Sequence, residues 1–204
     1  MEAAWERWEG FWVAGERRGA VLRAFDGDVL VTRVGFEDGF GSPFGSESLI
    51  RLSKDGDTWH AFRYRQEPGG LRSGARREEA GLGVDTLPAA GEHLLVARLA
   101  ASSRQRAAYR RVDDACPEEP PAPAEVRRAG TETVELPDGR SLAAERLDVV
   151  AGGLRTASHW AHDGALVRSA WAGALSFPLG GEAEAIDGLG PALAQFLREG
   201  FGGD

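Results

Sequence analysis

The 204-residue chain has one cysteine, one lysine and no apolar run approaching the roughly 20 residues that a membrane-spanning helix needs. The single cysteine, Cys116, excludes an intrachain disulfide and suits a reducing compartment. Lys54 is the only lysine, so every other fixed side-chain cation is an arginine, whose planar fork matters where a carboxylate or phosphate meets it. Positive charge is also in deficit: 24 basic residues stand against 32 acidic ones, a net charge of -8. That balance argues against nucleic acid or an anionic membrane surface as the main partner. Residues 1–10 are acidic and Trp-rich, without the basic and apolar regions of a signal peptide. The expected location is therefore cytoplasmic, or periplasmic where a leader preceded this sequence.

Catalytic and metal motifs are scarce as well. No Gly-x-Ser-x-Gly elbow occurs, so Ser42, Ser46 and Ser48 read as turn formers in or beside a Gly-rich loop. The run from Gly39 to Gly45 has its third glycine one residue late for a dinucleotide fingerprint, and no βαβ unit surrounds it. The turns at Asp26-Gly27-Asp28 and Asp55-Gly56-Asp57 lack the later positions of a calcium loop. His159 and His162 stand three apart, which on a strand sends them to opposite faces and argues against a shared metal. The expectation is no cofactor, no metal and no catalytic residue assignable by spacing.

What the chain does contain is turns. Asp-Gly pairs fall at 26–27, 38–39, 55–56, 138–139 and 163–164, most between short runs of alternating apolar and polar residues. Asp and Gly tolerate the positive φ of two-residue turns, so this pattern predicts hairpins. Strands are expected over 20–25 and 29–36, 48–52 and 58–65, 104–112, 125–136 and 141–150, 154–161 and 165–177, with an irregular one near 71–78. In 58–65 the alternation puts His60, Phe62 and Tyr64 on one face and Trp59, Ala61, Arg63 and Arg65 on the other. Trp5, Trp8 and Trp12 have helical spacing, interrupted by Gly10, so a helix face and a turn leading into a strand are both open. Residues 87–101 read as a helix with Pro88 in its first turn, and 182–199 as a short amphipathic helix stopped by Gly200. The proline-dense segment 116–124 reads as a linker between two β halves, 1–115 and 125–204, of one domain.

Residues 131–179 carry a Pro-Asp-Gly turn, a strand, a Gly-Gly turn, then Trp160 followed by the Asp163-Gly164 turn and an outgoing strand. This stretch resembles bacterial half-barrel proteins similar to the lipoprotein-localisation factors and their uncharacterised relatives. The resemblance implies a curved antiparallel sheet wrapped around a helix, with an apolar concavity that accommodates lipid.

The fold class expected is mainly β: a curved antiparallel sheet or open barrel on a central helix, with a short C-terminal helix. Trp12, Trp59, Trp160 and Trp171 are all placed in strands and can line one sheet, filling a core or walling a cavity. The leading function is non-enzymatic binding of an apolar or amphipathic, lipid-like small molecule in the sheet's concavity. Phe62, Tyr64, Trp160 and Trp171 are the candidate lining residues, and His60 and Arg63 the candidate rim residues for a polar head. Two alternatives stand beside it: an interaction protein with a filled core acting through a surface such as the 37–46 loop, and an enzyme using His159 or His162 as general base.

Overall fold

Residues 4–54 and 56–202 are described in a computed structural model, so the Asp55-Gly56 turn lies partly outside the described residues. The first six strands are β1 (Trp5–Val13), β2 (Glu16–Phe25), β3 (Val29–Glu37), β4 (Pro43–Leu52), β5 (Trp59–Glu67) and β6 (Leu71–Arg76). A short β7 (Thr86–Pro88) leads through a single 3-10 turn (Ala89–Gly91) into helix α1 (Glu92–Ala100), and β8 (Arg106–Val112) follows. The second run is β9 (Ala122–Glu135), β10 (Ser141–Ala151), β11 (Leu154–His162), β12 (Ala165–Trp171) and β13 (Ala174–Pro178), closed by helices α2 (Glu182–Ile186) and α3 (Pro191–Glu199).

All thirteen strands belong to one sheet, in the order β6-β5-β4-β3-β2-β1-β13-β12-β11-β10-β9-β8-β7. The pairing of β1 with β13 joins the two runs, and every neighbouring pair is antiparallel except β7 with β8. The sheet curls around α1 as an open barrel. One half of its inner face buries Val126, Leu147, Val149 and Leu166 against Val96 and Leu99, and the other buries Phe25, Leu30, Ile50 and Phe62 against Leu94. Its two ends approach each other: Trp59 Nε1 on β5 donates to the carbonyl of Thr86 on β7 at 2.9 Å. The C-terminal end of α1 is held by Arg128, whose guanidinium donates to the Leu99 carbonyl at 2.8 Å and to that of Ser102, a favourable place for a cation. No helix among the described residues is long and apolar enough to cross a membrane.

The turns divide by backbone type. Asp163 and Gly164 both have positive φ, as a two-residue hairpin turn requires, and so do Ala14-Gly15, Gly152-Gly153 and Ala172-Gly173. At Asp26 and Asp138 only the glycine is left-handed; the carboxylates instead accept backbone N–H groups of the following residues. Several elements differ from the sequence expectation. The single strand expected over 165–177 is two, β12 and β13, turned at Ala172-Gly173. Trp5, Trp8 and Trp12 lie on strand β1, not on a helix or turn. Pro88 ends β7 rather than opening the helix. The C-terminal helix is two pieces, because Gly188 takes a φ of 76° and Pro191 starts a new N-terminus; Gly200 stops α3 as expected, at φ 76°.

Helices α2 and α3 cover the convex face of β1–β4, where Leu193 and Leu197 pack with Trp8, Ala20 and Leu22. Their approach depends on glycine: a Cβ on Gly35 would stand 2.8 Å from Leu193 Cδ1. Gly19 is tighter, since a Cβ there would stand 2.0 Å from the Gly35 carbonyl oxygen and 2.6 Å from Phe36 Cα. Backbone cannot step aside as a side-chain tip can. We expect Gly19→Ala to cost about 1–3 kcal/mol in urea unfolding, as overpacked sites do; a variant as stable as the parent would show that β2 and β3 yield there.

Candidate functional site

A polar belt crosses the inner face of the sheet at right angles to its strands. Because inward side chains fall at every second residue, register alone aligns it. From β1 to β6 the cross-strand partners run Arg7, Arg23, Thr32, Ser48, Tyr64 and Ser73. From β13 the row continues through Ser176, Ser169 and His159. Glu9 joins the two runs, accepting a 2.6 Å hydrogen bond from Ser176 Oγ.

Glu9 is 1% exposed. Its Oε1 lies 3.1 Å from Arg7 Nε, 3.3 Å from Arg23 Nε and 3.4 Å from His93 Nε2. Burial pushes this carboxyl up, but Arg23, His93 and Arg7 together hold it well below the usual range. His93 is driven down to about 4 by burial and by Arg23. His159, whose ring centroid is 6.0 Å from that of His93, is driven to about 3 by burial and by its neighbour. Both imidazoles are thus neutral at pH 7, and His159 Nδ1 is engaged by Ser169 Oγ at 2.8 Å. A buried His with so low a pKa is a weak general base. His162, by contrast, is exposed at the end of β11, with Nδ1 2.9 Å from the Ala143 carbonyl.

Beside this cluster, at the N-terminal end of α1, a chamber of about 290 Å³ remains. Its walls come from Arg23, Thr32, Ser46, Ser48 and Tyr64 on one side, Glu92, His93, Arg111 and Asp114 around the helix start, and His159 and Trp171 opposite. Ala172, exposed in the turn after β12, marks its rim. Glu92 accepts from Tyr109 Oη at 2.5 Å and stands 3.0 Å from Arg111 Nε. Burial raises the Glu92 carboxyl against those two opposing contacts, and Tyr109 is raised by burial and by Glu92. Asp114 Oδ2 accepts the Ala90 N–H at 2.8 Å, and burial pushes its carboxyl up to about 7. Ser48 Oγ, Asp114 Oδ1 and Trp171 Nε1 are buried without hydrogen-bond partners. Leaving such groups unpaired costs about 1–3 kcal/mol each, a cost a bound molecule would relieve.

Above the belt, aromatic rings run along one end of the concavity, Phe11 buried and Phe36, Phe44 and Trp171 half-buried. Phe44 and Phe36 centroids lie 4.8 Å apart, Phe36 and Phe11 5.1 Å, and Phe11 and Trp171 5.1 Å. The chamber thus has polar walls at the helix and an aromatic rail leading from Trp171.

Of the residues singled out in the sequence, Tyr64 and Trp171 wall this chamber, while Phe62 lies in the apolar cluster with Trp59 and Leu94. The other three are elsewhere. A bulge between Arg51 and Leu52 opposite β5 turns Trp59 inward and leaves His60 exposed, reversing the expected faces of these two. Arg63 is exposed on the convex side, in a groove with His60, Leu49 and Arg76. Trp160 also faces outward, next to inward His159: its ring carries Arg168 at 4.4 Å, and its Nε1 donates to Glu132. Trp12 shares that outer face, edge-on to Phe177 at 5.1 Å, so the four strand tryptophans do not line one surface. Glu9, Arg23, Ser48, His93 and Asp114 were missed. Arg23 alone carried a local signal, as a charge between Val21 and Phe25 on an otherwise apolar strand face. Among the described residues no three His, Cys, Asp or Glu side chains group as metal ligands would.

No protein-family model matches this chain, and no curated protein matches it. Among solved structures it is similar to the crystal structure of a β-barrel-like protein of domain of unknown function DUF1849 from Brucella abortus. The TM-score is 0.46 at 8% sequence identity, over 87% of this chain and 96% of that one.

Proposed function

We propose that this chain is a non-enzymatic binder of a small amphipathic molecule, held in the chamber between the sheet and the start of α1. The observation that carries this reading is a space of about 290 Å³ whose buried walls include the unpartnered Ser48 Oγ and Asp114 Oδ1. Cavities that stay empty in protein cores are apolar as a rule, and unpaired buried polar groups facing a cavity favour an occupant that can bond them. The volume is at the small end of ligand sites, so the occupant is fragment-sized rather than a full acyl chain. The apolar parts of the concavity are taken up by Leu94, Val96 and Leu99 of α1, which also favours a short ligand. The apolar portion would lie toward Trp171 and Phe11, and the polar portion against the belt. This keeps the arrangement that the lipoprotein-localisation resemblance implies, a ligand between curved sheet and helix, with a shorter apolar part. Both halves of the chain supply walls, which favours treating 1–204 as one domain.

The test is a fragment screen by NMR on the intact chain, with Ser48→Phe as the blocked variant. Binders of the parent should shift the Trp171 indole N–H resonance, and Ser48→Phe should abolish those shifts while remaining folded. If fragments shift only residues on the convex face, or bind the blocked variant equally well, the reading fails.

A further inference from the structure

Asp114 differs from the other buried carboxylates, Glu9, Glu92 and Asp148, in having no cation of its own. Glu9 is balanced by Arg7 and Arg23, and Asp148 on the convex face has Arg146 Nε at 3.2 Å. Glu92 has Arg111 Nε at 3.0 Å. Among the described residues nothing pairs with Asp114 in this way. Its backbone carbonyl is fixed by Ser73 Oγ and its Oδ2 by the Ala90 N–H, so the side chain is anchored while Oδ1 stays free. The groups that face it from packed elements are Glu92 and His93 on α1, Arg111 on β8 and Tyr64 on β5. His93 is neutral and Arg111 is committed to Glu92. Tyr64 Oη donates to Gln66 at 2.8 Å rather than to Asp114.

We infer that the chamber takes a ligand bearing a protonated amine, seated on Asp114 Oδ1, with its apolar body toward Trp171. A cation there supplies the missing counter-charge and the missing donor at once, and a charge-assisted bond of this kind is stronger than a neutral one. Ser48, two strands from Ser73 in the belt and unpartnered at its hydroxyl, offers that hydroxyl to a second polar group. An anionic head would instead face Glu92 and Asp114 and would need Arg23 or Arg111 released from its partner. The inference rests on the chamber being a ligand site.

Three near-isosteric probes separate the cases: 2-phenylethylamine, 2-phenylethanol and 3-phenylpropanoate, titrated into the full chain while the Trp171 indole resonance is followed. The amine should bind at least about tenfold more tightly than the alcohol at pH 8, as expected for one charge-assisted contact. Its affinity should fall about tenfold between pH 8 and pH 6, because Asp114 must be ionised to receive it. Asp114→Asn keeps an acceptor for the Ala90 N–H and should remove both effects without weakening the alcohol. The wild-type pH dependence tests the inference independently of that variant's folding. Equal binding of amine and alcohol, flat in pH, would overturn the inference and leave the ligand site standing. Preference for the carboxylate would overturn it in favour of a head on the arginines. Failure of all three probes to shift Trp171 would remove the inference together with the ligand site beneath it.

Discussion

Replacing Glu9 by Ala is expected to cost about 3–5 kcal/mol of folding stability, the loss typical when one partner of a buried ion cluster is removed. The carboxylate lies within 3.3 Å of the Nε atoms of both Arg7 and Arg23 and accepts from Ser176. Without it, buried Arg23 and half-buried Arg7 face each other with no anion between them. Arg7 is further committed, since its Nη2 donates to the Leu166 carbonyl at 2.7 Å and cannot swing free without breaking that bond. Arg23, 6% exposed, has only the chamber to turn toward. Glu9→Gln keeps an oxygen for the Ser176 hydroxyl and should lose less than Glu9→Ala. The double variant Glu9→Ala, Arg23→Leu removes one of the orphaned charges and should recover part of the loss. Urea unfolding of the four proteins measures this; a Glu9→Ala loss below about 1 kcal/mol would mean that water reaches the cluster and screens it. With ordinary domains stable by about 5–15 kcal/mol, the expected loss is a large fraction of the whole.

The position of Glu9 also shows where reading the sequence stops. The hairpin framework was legible because its signals are local: a turn needs two or three residues, and alternation needs only the strand itself. Ala14-Gly15 and Ala172-Gly173 gave no such signal, since alanine seldom takes the φ of 52° and 51° that it has there. The exchange of Trp59 for His60 at the inner face was hidden for a related reason. The bulge that causes it is a property of the pair β4–β5, and neither strand alone records it. The belt is further out of reach. Glu9 and Ser176 are 167 residues apart and become neighbours only when β1 meets β13. Asp114 falls in the short gap between the expected strand 104–112 and the linker 116–124, where nothing local marks it, yet it is buried against the 3-10 turn before α1. Tyr64 and Trp171 were recoverable because no bulge falls beside them, so simple alternation holds from inward Phe62 to Tyr64 and from inward Ser169 to Trp171.

The second large effect is an acid loss of stability that begins near pH 6.5. His93 and His159 titrate at about 4 and about 3 in the folded chain, against an ordinary 6.5. Between those values the unfolded chain therefore binds two protons that the folded chain refuses. Asp114 works the other way: its folded value of about 7 lies above the ordinary 3.8, so the folded chain holds one extra proton in the same window. The unfolded chain is left with a net excess of one, which makes stability fall by about 1.4 kcal/mol per pH unit as the pH drops from about 6.5 toward 4. Glu92, raised by burial, acts with Asp114 and softens the slope; Glu9, held well below its ordinary range, steepens it once the pH passes below about 4.5. From pH 6 to pH 4.5 the expected loss is about 2 kcal/mol. Substitutions separate the contributions because their signs differ. Asp114→Asn should roughly double the slope by removing the proton that the folded state favours. His159→Gln, which can still meet Ser169, should bring the slope close to zero by removing one that it refuses. Urea unfolding at half-unit steps from pH 4.5 to 7 reads all three proteins. Stability that holds flat or rises on acidification to pH 5 would mean that His93 or His159 accepts a proton in the folded state, and that the centre of the belt is open to water.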